Sequence, residues 1–430
     1  MSSQSTVKGR RHMDTHVRAA RIGLVCLAVV SATTVAGSAV IESTVAEAAS
    51  AAHPSATVKR VVSARSTTPF AMPAPGLAKV QLVRLTAGAW TVIAKATAVN
   101  FSTTDFVRCQ LWDITNNVGL DGSTYQVGTT VAKAGPITNV ATLEVPPGAT
   151  VQVQQQCGHD TAAGDAAYLD ADAGLVAFQT LDGTAAGQSV ARTAAPYPLT
   201  SSNAIVLSLA LPPGTYAIGF KMTAVSLSGN AVVLCYLLAP NGGSGTADIA
   251  IGDTSAAATD TAFTYFSGSG TVSLVCGLPA GSGAYLDPET VLWARKAKAV
   301  TAVENGCGAR LVNATTDLVA LVRQGQCTIV STNTALSAAS VSKGTWVAVG
   351  GESTLANDGA SDFVRCELRI DGGQLDGSAT WEDAGHYVGG LTVLGTVKLA
   401  QQANIEESCI HDTSGATSRS FAGSLVLIRV

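Results

Sequence analysis

Charge is scarce in this sequence. Only 13% of its 430 residues are Asp, Glu, Lys or Arg, about half the usual share of roughly 25%. The formal net charge is −4, and nucleic-acid binding, which needs a clustered basic face, is not expected. No Cys-x-x-Cys pair occurs among the nine cysteines, so the spacing suits no structural zinc site. The catalytic signatures G-x-S-x-G, H-E-x-x-H and G-x-x-x-x-G-K-[ST] are missing, as is an L-P-x-T-G sorting signal. Past residue 40 no apolar run reaches spanning length. What is there is a 47% apolar share, which supplies a packed core and argues against global disorder.

The N-terminus reads as an address. Arg10, Arg11, Arg18 and Arg21 precede the uncharged run Ile22–Val40, and Ala46-Glu47-Ala48 offers a small-x-small cleavage site. This is the pattern of a secretory signal peptide. Residues 1–48 are therefore expected to be removed on export and residues 49–60 to form a flexible linker. The alternative, a retained anchor helix, is weakened by the Ser, Thr and Gly that dilute the run. The expected location is extracellular, with no permanent membrane anchor.

An internal repeat fills the remainder. Leu85-Thr-Ala-Gly88-Ala-Trp90, Leu211-Pro-Pro-Gly214-Thr-Tyr216 and Val341-Ser-Lys-Gly344-Thr-Trp346 each place an aromatic two positions after a glycine. A cysteine follows the glycine by 21, 21 and 22 residues, at Cys109, Cys235 and Cys366. Asp105-Phe-Val-Arg-Cys109 recurs unchanged as Asp362-Phe-Val-Arg-Cys366, and Leu120-Asp-Gly-Ser123 as Leu375-Asp-Gly-Ser378. Arg65, Arg192 and Arg323 recur ahead of the glycine and are read as marking first strands. Within a copy the period is two: Tyr216, Ile218, Phe220 and Met222 alternate with Ala217, Gly219, Lys221 and Thr223, the mark of a half-buried strand. Leu-Pro-Pro-Gly and Val145-Pro-Pro-Gly148 are read as turns between strands. The predicted fold is all-β: three tandem antiparallel β-sandwiches at 61–180, 181–300 and 301–430.

Eight cysteines lie beyond residue 48, an even number in a chain expected to be exported, which favours disulfides. Cys109 with Cys157, Cys235 with Cys276 and Cys366 with Cys409 stand 48, 41 and 43 residues apart. Pairing inside each copy is the simplest account, with Cys307 and Cys327 left to pair with each other. Each of the three long loops so closed is worth roughly 4 kcal/mol in the loop-entropy model.

The unit resembles the jelly-roll domains of the complement-one-q and tumour-necrosis-factor-like superfamily. The resemblance rests on the Gly-x-aromatic openings and on the closing strand Phe421-Ala-Gly-Ser-Leu-Val-Leu-Ile428, with looser versions at 168–178 and 285–293. It implies a jelly roll in which the two cysteine-bearing strands are neighbours in one sheet. Those domains commonly form trimers, so it also implies that the three copies pack as an intrachain pseudo-trimer.

Candidate sites each have a plain reading beside the sharp one. Cys157-Gly-His159-Asp160 and Cys409-Ile-His411-Asp412 are matched C-x-H-D segments: a metal or acid–base site built on His159 and His411, or polar loops leaving the bridged strand. Asp165, Asp170 and Asp172, among glycines, form a calcium candidate, against the usual role of Asp in turns. Trp112, Trp293 and Trp381 suggest a sugar-stacking platform or simply core and rim aromatics. Lys95 and Lys221 stand five residues beyond their aromatics and are expected on the solvated face. The expected product is a non-catalytic binding or envelope-interacting protein without a cofactor, its ligand a glycan or protein. The alternatives are an extracellular hydrolase using loop carboxylates and a self-assembling surface protein.

Overall fold

The fold is taken from a computed structural model. It describes residues 60–430 except 129–131, 161–166, 180–186, 227–230, 241–244, 252–255, 282, 306–310, 358–361, 383–387 and 413–416. The expected signal peptide, the expected linker up to residue 59, and Cys307 and Asp165 lie outside the described residues. Val58–Val430 form one compact unit. Among the described residues every regular element is a strand, as the Thr and Val content favours, and no helix is long and apolar enough to cross a membrane.

The first segment carries β1 (Val61–Arg65), β2 (Phe70–Ala71), β3 (Ala78–Val99), β4 (Asp105–Asp113), β5 (Val118–Val127), β6 (Ala134–His159), β7 (Tyr168–Leu169) and β8 (Gly174–Gln179). The second carries β9 (Gln188–Arg192), β10 (Tyr197–Pro198), β11 (Ala204–Ser226), β12 (Ala231–Leu238), β13 (Thr246–Ile251), β14 (Ala256–Gly281), β15 (Ala284–Leu286) and β16 (Val291–Ala297). The third carries β17 (Val300–Asn305), β18 (Val312–Ala314), β19 (Leu318–Ile329), β20 (Thr334–Val341), β21 (Gly344–Asn357), β22 (Asp362–Ile370), β23 (Gly373–Glu382), β24 (Val388–Leu399), β25 (Ala403–His411) and β26 (Thr417–Arg429).

In the third segment two five-stranded layers are separate, in the orders β17-β19-β26-β21-β24 and β18-β20-β25-β22-β23. In the first two, long strands run through both layers: β3 pairs with β6 and β11 with β14 along nearly their whole length. The pairing is antiparallel throughout except at β17–β19 and β18–β20.

The proline-glycine segments are corners, not the strand breaks expected of them. The register shifts between Thr86 and Gly88 and between Leu211 and Gly214, and the two prolines at each site fall where no ladder N–H is needed. The aromatic two residues on fastens the corner. Trp90 Nε1 donates to the Thr86 carbonyl at 2.7 Å, Tyr216 Oη to Pro212 at 3.0 Å and Trp346 Nε1 to Ser342 at 2.9 Å. All three rings are buried. In the first and third copies the glycine of the repeat is a backbone requirement. Gly88 and Gly344 take φ of 130° and 147°, a region costly for other residues.

One expectation is overturned. Lys95 and Lys221 are not solvated; both are 0% exposed. The alternation along β11 separates two buried faces. Tyr216, Ile218 and Phe220 join one apolar cluster, which draws on the first and second segments, while Ala217 joins another, which draws on all three. A period of two reports which residues share a face, not what covers that face.

Candidate functional site

The C-x-H-D segments belong to the disulfide strands. Cys109 and Cys157 are directly opposed on β4 and β6 and are bonded, as are Cys235–Cys276 on β12 and β14 and Cys366–Cys409 on β22 and β25. Cys327 is disulfide-bonded as well. Such bonds form and persist in an oxidising environment. Either side of the bridge, the repeated D-F-V-R-C meets the repeated C-x-H-D. His159 Nδ1 lies 2.8 Å from Asp105 Oδ2, and His411 Nδ1 2.8 Å from Asp362 Oδ2, all four side chains buried. Arg108 and Arg365 pair with Asp160 and Asp412 at 2.8 Å on the outer surface. Ser418 donates to the Asp362 carboxylate, not to the imidazole, so the geometry is that of a strand clamp and not of an activated nucleophile.

The buried lysines tie one segment to another. Lys221 Nζ lies 3.0 Å from Asp121 Oδ1 and donates to the Gly122 carbonyl at 2.8 Å. Arg192 reaches the same carboxylate at 3.0 Å. Lys95 repeats this between the first and third segments, with Nζ 3.1 Å from Asp376 Oδ2. The recurrent Leu-Asp-Gly-Ser thus supplies the acceptor for the recurrent lysine of a different copy. Burial pushes the Asp376 carboxyl above the usual aspartate range, while Lys95, the Leu394 N–H and Arg65 pull it back. The position matching the two lysines in β21 is Gly351, opposite Thr392 as Lys95 is opposite Thr138 and Lys221 opposite Thr261. A Cβ on Gly351 would lie 2.7 Å from the Thr261 carbonyl oxygen. At that seam the backbones approach too closely for a side chain.

Those three threonines meet. Thr138 Oγ1 donates to Thr392 Oγ1 at 3.1 Å, and Thr392 and Thr261 share a bond of 2.8 Å. All three are buried. Beside them one apolar cluster draws Val140 and Phe178 from the first segment, Phe263 and Trp293 from the second, and Val349 and Leu394 from the third. Trp293, a candidate for sugar stacking, is therefore core, with its ring centroid 6.2 Å from that of Phe263. Trp112 is half-buried, and the Trp381 side chain lies outside the described set.

Between the two layers of the third segment sits an acidic pair that sequence reasoning missed. Glu352 on β21 and Glu407 on β25 are each 1% exposed, with Arg323 between the layers. The Arg323 guanidinium binds the Glu352 carboxylate, which Ser420 also contacts. Burial first, then the neighbouring Glu352, hold the Glu407 carboxyl well above the usual glutamate range, and Arg323 only partly offsets them. Two carboxyls in contact can hydrogen-bond only if one keeps its proton. The signal was present: Glu407 is two residues before Cys409, hence on its core-facing side.

Asp170 and Asp172 of the calcium candidate lie in a cleft of about 200 Å³ between the first and third segments, lined also by Thr97, Arg365, Glu367 and Gln374 over Gly377. Arg65 Nε donates to Asp172 Oδ1 at 3.0 Å. Among the described residues no three His, Cys, Asp or Glu side chains are grouped to hold a metal ion.

No family model matches the chain, and no curated protein matches it. Solved structures similar to it include the archaeal virus protein of "The Triple Jelly Roll Fold and Turret Assembly in an Archaeal Virus" (12% identity, 85% of this chain and 90% of that one, TM-score 0.18). Others are the tandem CBM22-1-CBM22-2 domain of Paenibacillus barcinonensis Xyn10C (11%, 55% and 97%, 0.17) and the insecticidal delta-endotoxin Cry8Ea1 of Bacillus thuringiensis (8%, 85% and 54%, 0.21). Likenesses this low establish neither ancestry nor role.

Proposed function

We propose that this chain is an exported, non-catalytic binding scaffold. In this reading three jelly-roll-like sandwiches, with boundaries at 61–180, 181–300 and 301–430, stand around a pseudo-threefold axis, as the complement-one-q resemblance implies. The observation that carries it is the hydrogen-bonded set Thr138–Thr392–Thr261, contributed by matching strand positions of the three segments. The two Lys–Asp pairs and the shared apolar cluster support the same arrangement. Disulfides and low charge suit a durable extracellular body whose ligand is a glycan, a protein or the cell envelope. Small-angle scattering tests the arrangement: a single compact unit of this size has a radius of gyration of about 21 Å, and the profile of an extended rod of three beads would sink the reading. A glycan and cell-wall pull-down with the mature protein tests the binding.

One observation favours a second reading. Asp170, Asp172 and Glu367 line one cleft, which is where an extracellular hydrolase acting on polysaccharide or peptide would place its carboxylates. Hydrolysis of a substrate panel that is lost on replacing Asp170 and Glu367 would establish it. Concentration-dependent light scattering would instead identify a self-assembling surface protein.

A further inference from the structure

The geometry points to the seam cleft as a site for one neutral sugar ring, bound through its hydroxyl groups. The inference rests on the binding reading above and goes beyond it by naming the place and the ligand chemistry.

Size comes first. At about 200 Å³ the cleft is below the roughly 300–1,000 Å³ of pockets that enclose drug-sized ligands, so it admits a single ring and not an extended chain. Its polar groups decide the rest. The cations nearby are already matched: Arg65 with Asp172, Arg365 with Asp412, and Arg369 with Glu367. No guanidinium is left over for a phosphate, sulfate or uronate. The acceptors are in excess. Among the described residues the Asp170 carboxylate takes only the Ala171 N–H, through Oδ1 at 2.9 Å. On the floor, Gly377 lies between the Gln374 amide and the second oxygen of Asp172. A Cβ there would meet Gln374 Nε2 at 3.1 Å and Asp172 Oδ2 at 3.3 Å. The missing side chain leaves a donor and an acceptor facing one small space. A ligand fitting this set must present several hydroxyl donors, accept one amide hydrogen bond and carry no negative charge. A pyranose does so.

The site is also built across two segments. Asp170 and Asp172 come from the first, while Arg365, Glu367, Gln374 and Gly377 come from the third. A bound ring would therefore bridge them beside the Lys95–Asp376 pair, whose lysine also donates to the Gly377 carbonyl.

The test is saturation-transfer NMR of the mature chain against methyl glucoside, galactoside, mannoside and N-acetylglucosaminide, with lysine amide as a cationic probe. At least one glycoside is expected to bind in the range of about 1 mM. Asp170→Ala, which removes the free acceptor, and Gly377→Ala, which fills the floor, should each weaken it about tenfold or more. Both variants should melt like the parent protein, which separates loss of the site from loss of the fold. Silence from every glycoside, a signal unchanged in both variants, or binding of lysine amide alone would overturn the inference. Cell-wall retention that persists in both variants would remove the cleft while leaving the binding scaffold standing.

Discussion

Replacing Glu407 by Gln should make the protein more stable at neutral and alkaline pH. In the folded chain this carboxyl faces Glu352 in the interior of the third segment, with one arginine for two acids. Burial and the second carboxyl hold its pKa well above the ordinary value of 4.5. Unfolded, it loses its proton near that ordinary value. Above it the folded state binds more protons than the unfolded state, so stability falls as pH rises. The loss is absent below the unfolded pKa and complete once pH passes the raised folded value. One excess proton gives a slope approaching about 1.4 kcal/mol per pH unit. Each pH unit crossed within that window therefore removes a sizeable part of a stability of about 5–15 kcal/mol. Glutamine keeps the shape and donates to Glu352 without needing a proton. Urea unfolding by tryptophan fluorescence, between about pH 5 and pH 8, should show the variant gaining on the parent as pH rises. Parallel curves, or a variant that loses ground in alkali, would refute the shared proton.

Lys221→Met should lower stability by about 3 kcal/mol in thermal unfolding, because it strips the ammonium from the buried Asp121; a change within about 0.5 kcal/mol would mean that the pair does not hold the seam. Thr392→Val removes the central hydroxyl of three and leaves Thr138 and Thr261 without their bonds, at an expected cost of about 1–3 kcal/mol by the same measurement. Non-reduced peptide mapping should recover Cys109–Cys157, Cys235–Cys276 and Cys366–Cys409; free thiols, or links from one segment to another, would contradict the fold.

The sequence made the strands readable because their signals are local. The alternation in β11, the Gly-x-aromatic corner and the cysteine spacing each depend on residues within a few positions or on one repeat. The polar contacts between segments were less readable. Lys95 meets Asp376 from 281 positions away, and nothing near Lys95 reports that its face is covered. A hint did exist: in a chain so poor in charge, both the lysine and the Leu-Asp-Gly-Ser aspartate recur. The fate of the histidines was set by their neighbours, since each C-x-H-D faces a D-F-V-R-C in the adjacent strand. The seam cleft was half visible. Asp170 and Asp172 drew attention as a turn cluster, while Glu367 and Gln374 come from a distant copy.

The polar and apolar contacts that join the three segments have a final consequence. They are made within one polypeptide, so mass action does not govern them. An assembly of three separate subunits loosens as it is diluted, whereas linked partners meet at an effective concentration that short linkers set in the millimolar range. A body built this way persists at vanishing abundance. It also lets the segments differ chemically from one another, as at Gly351, where the matching positions of the other two segments carry a lysine.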